Sequence, residues 1–388
     1  MKASALKLSA IFVGAAMLLS ACGTANPTAS TATAISKVGT GEGKLSLLGW
    51  PGYAEDGSND PKVDWVTPFE KATGCQVTFK PYGTSDEALN LFKTGNYDAI
   101  AASGDATLRL IASGLVQPLN TKLIPSYKGV YSFLKNRAWN TVDGKSYGVP
   151  HGYGANLLMY NSDVVKPAPT SWNVVFDKSS AYKGKVTAYD SPIYIADAAV
   201  YLMAHNPELG IKNPYALDDK QLAAAVTLLK AQRANVGEYW SDYLKEISAF
   251  QSGDSVVGTT WQVIINSMSP KTKVASVLPT EGVTGWSDSW MVASNTKHVN
   301  CAYKWLDYID SPKANAAATE YFGEAPVTQA ACQYASAGFC DTYHAGDVNY
   351  ASKIWYWTTP IAKCLDGRTD VQCTDYAKWT TAWQEIKG

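Results

Sequence analysis

The stretch TGWSDSWMVAS, residues 284–294, sets an acid among aromatics: Asp288 stands between Trp286 and Trp290, flanked by Ser287 and Ser289. The run 286–292 reads as a β-strand ending in the apolar core, where a β-branched residue is the usual filler. A carboxylate there is poor core chemistry, because an unpaired charge taken out of water is expensive. It is good chemistry for an ammonium group. Ring faces attract a cation by about 0.5–2 kcal/mol each, and the acid neutralises the charge as it leaves water. Catalytic patterns are scarce by comparison. The chain has no GxSxG, HExxH or P-loop, and GYGANL at 152–157 has only two of the three glycines of a dinucleotide fingerprint and precedes a strand. Asp190 and Asp288 can be drawn as a glycoside-hydrolysing pair, which makes an enzyme the main rival class. His151, His205, His298 and His344 are scattered and no CxxC occurs, so neither a zinc set nor another cofactor is expected.

These residues need a scaffold. With 388 residues, 46% apolar and 17% charged, the chain is globular and long enough for two domains. No run of Lys or Arg is long enough to track a phosphate backbone, which argues against nucleic acid as a partner. Residues 1–21 read as an export signal: Lys2 and Lys7, an apolar run at 8–19 too short to span a bilayer, then LSAC. The pattern resembles a bacterial lipoprotein signal, which implies that Cys22 becomes a lipidated N-terminus; an ordinary secretory signal is the rival reading. Residues 22–43, rich in Thr, Ala, Ser and Gly, read as a flexible tether. Setting Cys22 aside leaves six cysteines, and an even number in an exported chain favours disulfides. The preferred pairing joins Cys332 to Cys340 and Cys364 to Cys373 across short loops. Cys75 with Cys301 is the third pair and has no spacing argument of its own.

Strand and helix alternate from Lys44 onward, in the manner of a doubly wound α/β domain. KLSLLGW at 44–50 reads as a strand, and Pro61 after Asp60 as the start of a helix that stops at Gly74. Further strands are expected at 75–82 and 97–103, with helices at 84–95 and after Gly104. The glycine-rich stretch 146–161 breaks the rhythm and reads as a crossover between domains. A second α/β set follows, with strands at 184–190, 256–261 and 273–279, a helix from Pro192 and a long helix at about 218–236. TEGVTG at 280–285 then crosses back.

The order of YDAIAASGDATLRLIASGLVQPLN, YGVPHGYGANLLMYNSDVV, GKVTAYDSP, GWSDSWMVAS, CAYKWLDYIDSP and EYFGEAPV resembles the polyamine-type solute-binding proteins of ABC importers, the spermidine and putrescine binders. The resemblance implies an α/β, two-lobed periplasmic-binding-protein fold of type II, each lobe a mixed sheet flanked by helices. It places ligand at the carboxyl ends of the strands, in a cleft that closes like a hinge. Carried onto matching positions, Trp50 and Tyr53 look like the first aromatic pair and Ser103 like a polar contact. Asp190 looks like the acid of the second lobe, Trp261 its aromatic wall, and Trp286 with Asp288 the aromatic and acid of the returning strand. Ile193 and Asp105 stand where the spermidine binders carry a second acid and an aromatic, which argues against a long triamine. Asp105 and Glu324 offer acids from other directions, and Trp355 with Trp357 further aromatic surface.

Each assignment has a plainer rival: core packing for Trp50 and Trp261, a loop position for Tyr53, an N-cap for Asp190. The expected division is 44–150 with 284–326 as one lobe, and 151–283 with 327–388 as the other. The implied partners are a small cationic ligand, a membrane permease and its ATPase, and the membrane through a lipid anchor, for a monomer outside the cytoplasm. A sugar-binding importer component is the alternative within the same fold.

Overall fold

The computed structural model describes residues 33–388, so the expected signal and Cys22 lie outside the described residues. Strands β1 Lys44–Gly49, β2 Gln76–Pro81 and β3 Ala99–Ala102 come first; β4 Thr141–Val142 and β5 Lys145–Ser146 form a small ribbon. Then come β6 Val149–Ala155, β7 Leu157–Asn161, β8 Val186–Tyr189, β9 Val236–Trp240, β10 Val257–Thr260 and β11 Val274–Val277. The last are β12 Val283–Val292, β13 Ala325–Pro326 and β14 Ile354–Tyr356. One sheet has the order β13–β6–β12–β3–β1–β2, with β14 also paired to β12; the other runs β11–β7–β10–β8–β9. Both mix parallel and antiparallel pairs.

Local chemistry explains most element ends. The helix Ser85–Phe92 starts where the Thr84 hydroxyl accepts from Glu87 N–H, and Asp218 and Gln221 form a reciprocal capping box at the helix Asp219–Gln232. Gly74 ends the helix Val66–Thr73 in the left-handed conformation, as expected, but that helix begins at Val66 and not at Pro61. The Asp60 carboxylate caps a turn by accepting from Lys62 N–H, whereas Asp64 accepts from Thr67 N–H in the helix's first turn. All ten residues of β12 are buried, because strands flank it and both faces are covered.

The segment expected to be tether is in part docked. Ile35 and Val38 pack on the first core, and the Glu42 carboxylate accepts from Asn300 and Cys301 N–H at the start of the helix Val299–Ile309. An acid at an N-terminal turn is a favourable anchor. Next to it Cys75 is bonded to Cys301; Cys332–Cys340 and Cys364–Cys373 are the other disulfides.

The chain passes between the sheets at Asn156, the single residue separating β6 from β7, and again between β11 and β12. Residues 151–155, assigned above to the second lobe, therefore run in the first sheet as the end of β6, and so does β14 from the C-terminal segment. Asn156 and Thr284 tie the two crossings together: Asn156 N–H donates to Thr284 O at 2.9 Å and its amide to the Thr284 hydroxyl at 2.6 Å. After β14 the chain returns to the second core, where Trp379 and Trp383 of the helix Tyr376–Lys387 are buried.

Candidate functional site

The carboxyl ends of two strands converge on three residues of β12. β14 runs parallel to β12 and stops where Tyr356 meets Gly285; β3 runs antiparallel and stops where Ala102 meets Ser289. Trp286, Ser287 and Asp288 lie between these two pairings. Strand ends leave backbone groups and following loops free to face a ligand, which is why crevices form there.

Asp288 is 1% exposed and accepts three hydrogen bonds. Ser103, next after β3, donates to it at 2.6 Å, and Tyr53, in the loop after β1, at 2.8 Å. Trp50 adds a side-chain hydrogen bond. Burial pushes the carboxyl up to about 6, Asp105 adds to the rise, and the three hydrogen bonds hold it back. Asp105, in the first turn of the helix Gly104–Ala112, accepts from the Ser85 hydroxyl at 3.0 Å and is also pushed up to about 6 by burial. Its negative charge faces Asp288 without answering it.

Aromatic walls surround this acid. The Trp50 ring packs on Tyr82 at 4.5 Å. From the second lobe Trp261 reaches Trp286 at 6.2 Å and Tyr189 at 5.6 Å, while its indole N–H donates to Asn156 at the crossing. Trp357 stacks on Tyr189 at 5.6 Å, so it joins the walls; Trp355 meets the second lobe through its carbonyl, which accepts from Tyr215. Trp286 can lie flat on β6 because residue 154 is glycine: a Cβ there would stand 2.7 Å from the indole.

Asp190 is not brought to this cluster. The helix Tyr376–Lys387 places Lys387 and the Trp383 indole N–H on its carboxylate, so the chain itself supplies its countercharge. The N-cap role weighed for it belongs to Ser191, whose hydroxyl accepts from Ile193 N–H. With Asp190 occupied, the drawn glycosidase pair loses a free member.

Glu324 is brought in, and with it residues that the sequence reading missed. Its carboxylate accepts from the Tyr53 hydroxyl at 3.1 Å, the same hydroxyl that serves Asp288. It lies over Gly152, where a Cβ would stand 2.0 Å from the carboxyl carbon. His151, fully buried, stands 3.7 Å from Glu324 and 3.8 Å from Asp310, too far for hydrogen bonds. Burial pulls the imidazole down to about 3 and pushes the Glu324 and Asp310 carboxyls well above the usual range. Glu324 also lines a small cavity of about 20 Å³, room for about one water, together with Tyr153, Trp261, Trp286, Tyr343 and Tyr350. Tyr343 and Tyr350 come from the C-terminal segment, held on β6 by Tyr153, whose hydroxyl accepts from Gly346 N–H. Cys364, Asp366 and Cys373 also lie close together, but both sulfurs are in a disulfide and offer no thiolate for a metal.

Known proteins share this arrangement of elements. The putrescine-binding periplasmic protein SpuD of Pseudomonas aeruginosa strain UCBPP-PA14 is 26% identical over 275 residues, which are 66% of this chain and 72% of that protein. The putrescine-binding periplasmic protein PotF of Escherichia coli K12 is 25% identical over 313 residues, 76% of this chain and 80% of its own. The crystal structure of the TpPotD lipoprotein of Treponema pallidum matches with a TM-score of 0.70 at 18% identity, covering 88% of this chain and 99% of that one. Identity that low shows the shared two-lobed fold and no more. Residues 64–339 match the family described as bacterial extracellular solute-binding protein, well over half of the chain, and the protein belongs to that family.

Proposed function

We propose that the chain is the extracytoplasmic solute-binding component of an ABC importer, and that its solute is a small organic cation of the polyamine class held between the lobes. The observation that carries this reading is Asp288: a carboxylate 1% exposed, ringed by Trp50, Trp286 and nearby Trp261, with no Lys or Arg paired to it among the described residues. An ammonium entering here exchanges its water for a charge and for ring faces. The relatives' names, putrescine binders in both cases, support the same class. Ile193 is fully buried and apolar and Asp190 is answered by Lys387, so neither of the two positions where a second-lobe acid was expected offers a free one; that favours a short diamine over a long triamine. Cys22 as lipidated N-terminus, a permease and ATPase as partners, and a monomeric state complete the proposal.

A sugar-binding role would use the aromatic walls but leave the buried acid without purpose. Titration calorimetry with putrescine, spermidine and a neutral oligosaccharide separates the two. Removing one member of a buried charge pair costs about 3–5 kcal/mol, so Asp288→Asn is expected to weaken diamine binding by roughly two to three orders of magnitude. Tight oligosaccharide binding, or a variant that holds its diamine like wild type, would end the cation reading.

A further inference from the structure

We infer that Asn156, Thr284 and Asp197 are positioning residues for the solute: they fix the Trp261 ring from the two crossings between the lobes. The inference rests on the proposed solute-binding function, in which Trp261 is a wall of the site, and assigns what holds that wall.

The four side chains form one hydrogen-bonded chain. The Trp261 indole N–H donates to the Asn156 side-chain oxygen at 2.9 Å, the Asn156 amide donates to the Thr284 hydroxyl at 2.6 Å, and that hydroxyl donates to Asp197 Oδ1 at 2.9 Å. Its direction is fixed at every link. An indole N–H can only donate, so the oxygen of Asn156 must face Trp261 and its NH2 group must face Thr284. The Thr284 oxygen is then taken as an acceptor, and its proton goes to Asp197. Links that donate in one direction polarise one another, so the chain is stronger than its separate bonds.

Its placement joins the site to the crossings. Asn156 is the single residue between β6 and β7, and Thr284 lies at the start of β12, just after the return crossing. Asp197 sits in the first turn of the helix Ile195–His205, which packs in the second core. All three are nearly out of water, at 5%, 0% and 4% exposed, whereas Trp261 is partly exposed and reaches Trp286 of the first lobe at 6.2 Å. Trp261 also precedes the helix Gln262–Ser267, whose Val263 meets the first lobe at Gly323: a Cβ there would stand 2.4 Å from it. The ring is thus held on one side by the crossings and meets the other lobe across the cleft. A buried polar chain is a costly choice where apolar side chains could fill the space. Apolar packing would join the crossings as well, but it would give the indole N–H no fixed partner and the ring no fixed plane.

Titration calorimetry of the mature chain with putrescine reads the link through a double-mutant cycle between Thr284→Val and Trp261→Phe. Thr284→Val keeps the side chain's shape and removes the hydroxyl; Trp261→Phe keeps an aromatic wall and removes the N–H. Thr284→Val should weaken putrescine by about three- to tenfold in the wild-type background and by less than about twofold in the Trp261→Phe background, where the chain is already cut. Thr284→Ser, which keeps the hydroxyl, should bind within about twofold of wild type. Asp197→Leu replaces an unpaired buried acid by an apolar side chain of similar size, a change that need not cost stability. It should follow the same pattern at about threefold, so the inference stays testable if Thr284→Val does not fold. A merely structural tie would give an equal loss in both backgrounds. The inference is overturned by that result for either folded variant, by either binding putrescine like wild type, or by Thr284→Ser behaving like Thr284→Val. A wild type that binds no putrescine overturns the cation reading and, with it, this assignment; putrescine binding that ignores the chain overturns the assignment alone.

Discussion

Asp288 carries its proton longer than an ordinary aspartate, with its carboxyl pushed up to about 6 by burial, and this sets how capture responds to acidity. An ammonium favours the ionised acid, so protons and ligand compete for it. Affinity for putrescine should therefore rise between about pH 5 and pH 7, by up to tenfold per pH unit where one proton is displaced, and level off above. Calorimetry at several pH values reads this directly, and Asp288→Asn should flatten most of the slope; a wild-type affinity constant from pH 5 to pH 8 would contradict the competition. The residue was legible in the sequence because an acid set between tryptophans in a strand that ends in the apolar core has few structural excuses. Tyr53 and Ser103 were reached through the resemblance at their strand ends. Asp190 looked equally good there, and only the packing of the last helix reveals that Lys387 occupies it. His151 and Asp310 were not legible as neighbours: they lie far apart in the chain, and only the folded arrangement brings the His151 ring to 3.8 Å from Asp310.

The elements divide into those that hold the lobes and those that build the cage, and the disulfides fall on both sides of that division. Cys75–Cys301 ties the residue before β2 to the helix Val299–Ile309 on the core of the first lobe. Cys332–Cys340 leads into the short helix Phe339–Thr342, directly before Tyr343 of the cavity wall. Replacing the first pair by serine should lower stability by about 2–5 kcal/mol and leave putrescine affinity close to wild type. Replacing the second pair should cost less, about 2–3 kcal/mol, because the closed loop is short, yet weaken putrescine binding by several-fold as the wall loosens. Denaturant melts and calorimetry on both double variants distinguish them, and equal effects on affinity would refute the division. Sequence periodicity located β1, β2, β3, β8, β10, β11 and the helices Ser85–Phe92, Gly104–Ala112 and Asp219–Gln232 to within a few residues, and it missed β9 and the helices Tyr243–Ser252 and Gln262–Ser267. It ran β6 and β7 together because only Asn156 separates them, and a one-residue passage between sheets leaves no turn signature. The Pro61 helix start failed for a related reason: Asp60 does cap, but it caps a turn.

Across the whole molecule, five acids no more than 4% exposed have no Lys or Arg paired to them or acting on them among the described residues: Asp197, Glu246, Asp288, Asp310 and Glu324. They fall in both lobes. Threonine hydroxyls hold Asp197 and Glu246, yet burial still pushes Asp197 up to about 7 and Glu246 well above its usual range. Each of the five therefore binds its proton more tightly folded than unfolded. The unfolded acids ionise near pH 4, so their contribution to stability is fully present below that point and is lost as pH rises through the folded values, about 6 for Asp288 and about 7 for Asp197. This is opposite to the usual protein, whose paired carboxylates favour neutral pH. Buried neutral His151 works the other way, because its imidazole is pulled down to about 3, but the five acids outnumber it, and the ligand-free chain should lose several degrees of melting temperature between pH 5 and pH 8. Saturating putrescine, which binds the folded chain with its site ionised, should raise the melting temperature more at pH 8 than at pH 5. Calorimetric scans with and without putrescine across that range decide it. A ligand-free melting temperature that climbs steadily from pH 5 to pH 8 would mean that these acids find cationic partners in solution, and the case for Asp288 as a cation acceptor would fall with it.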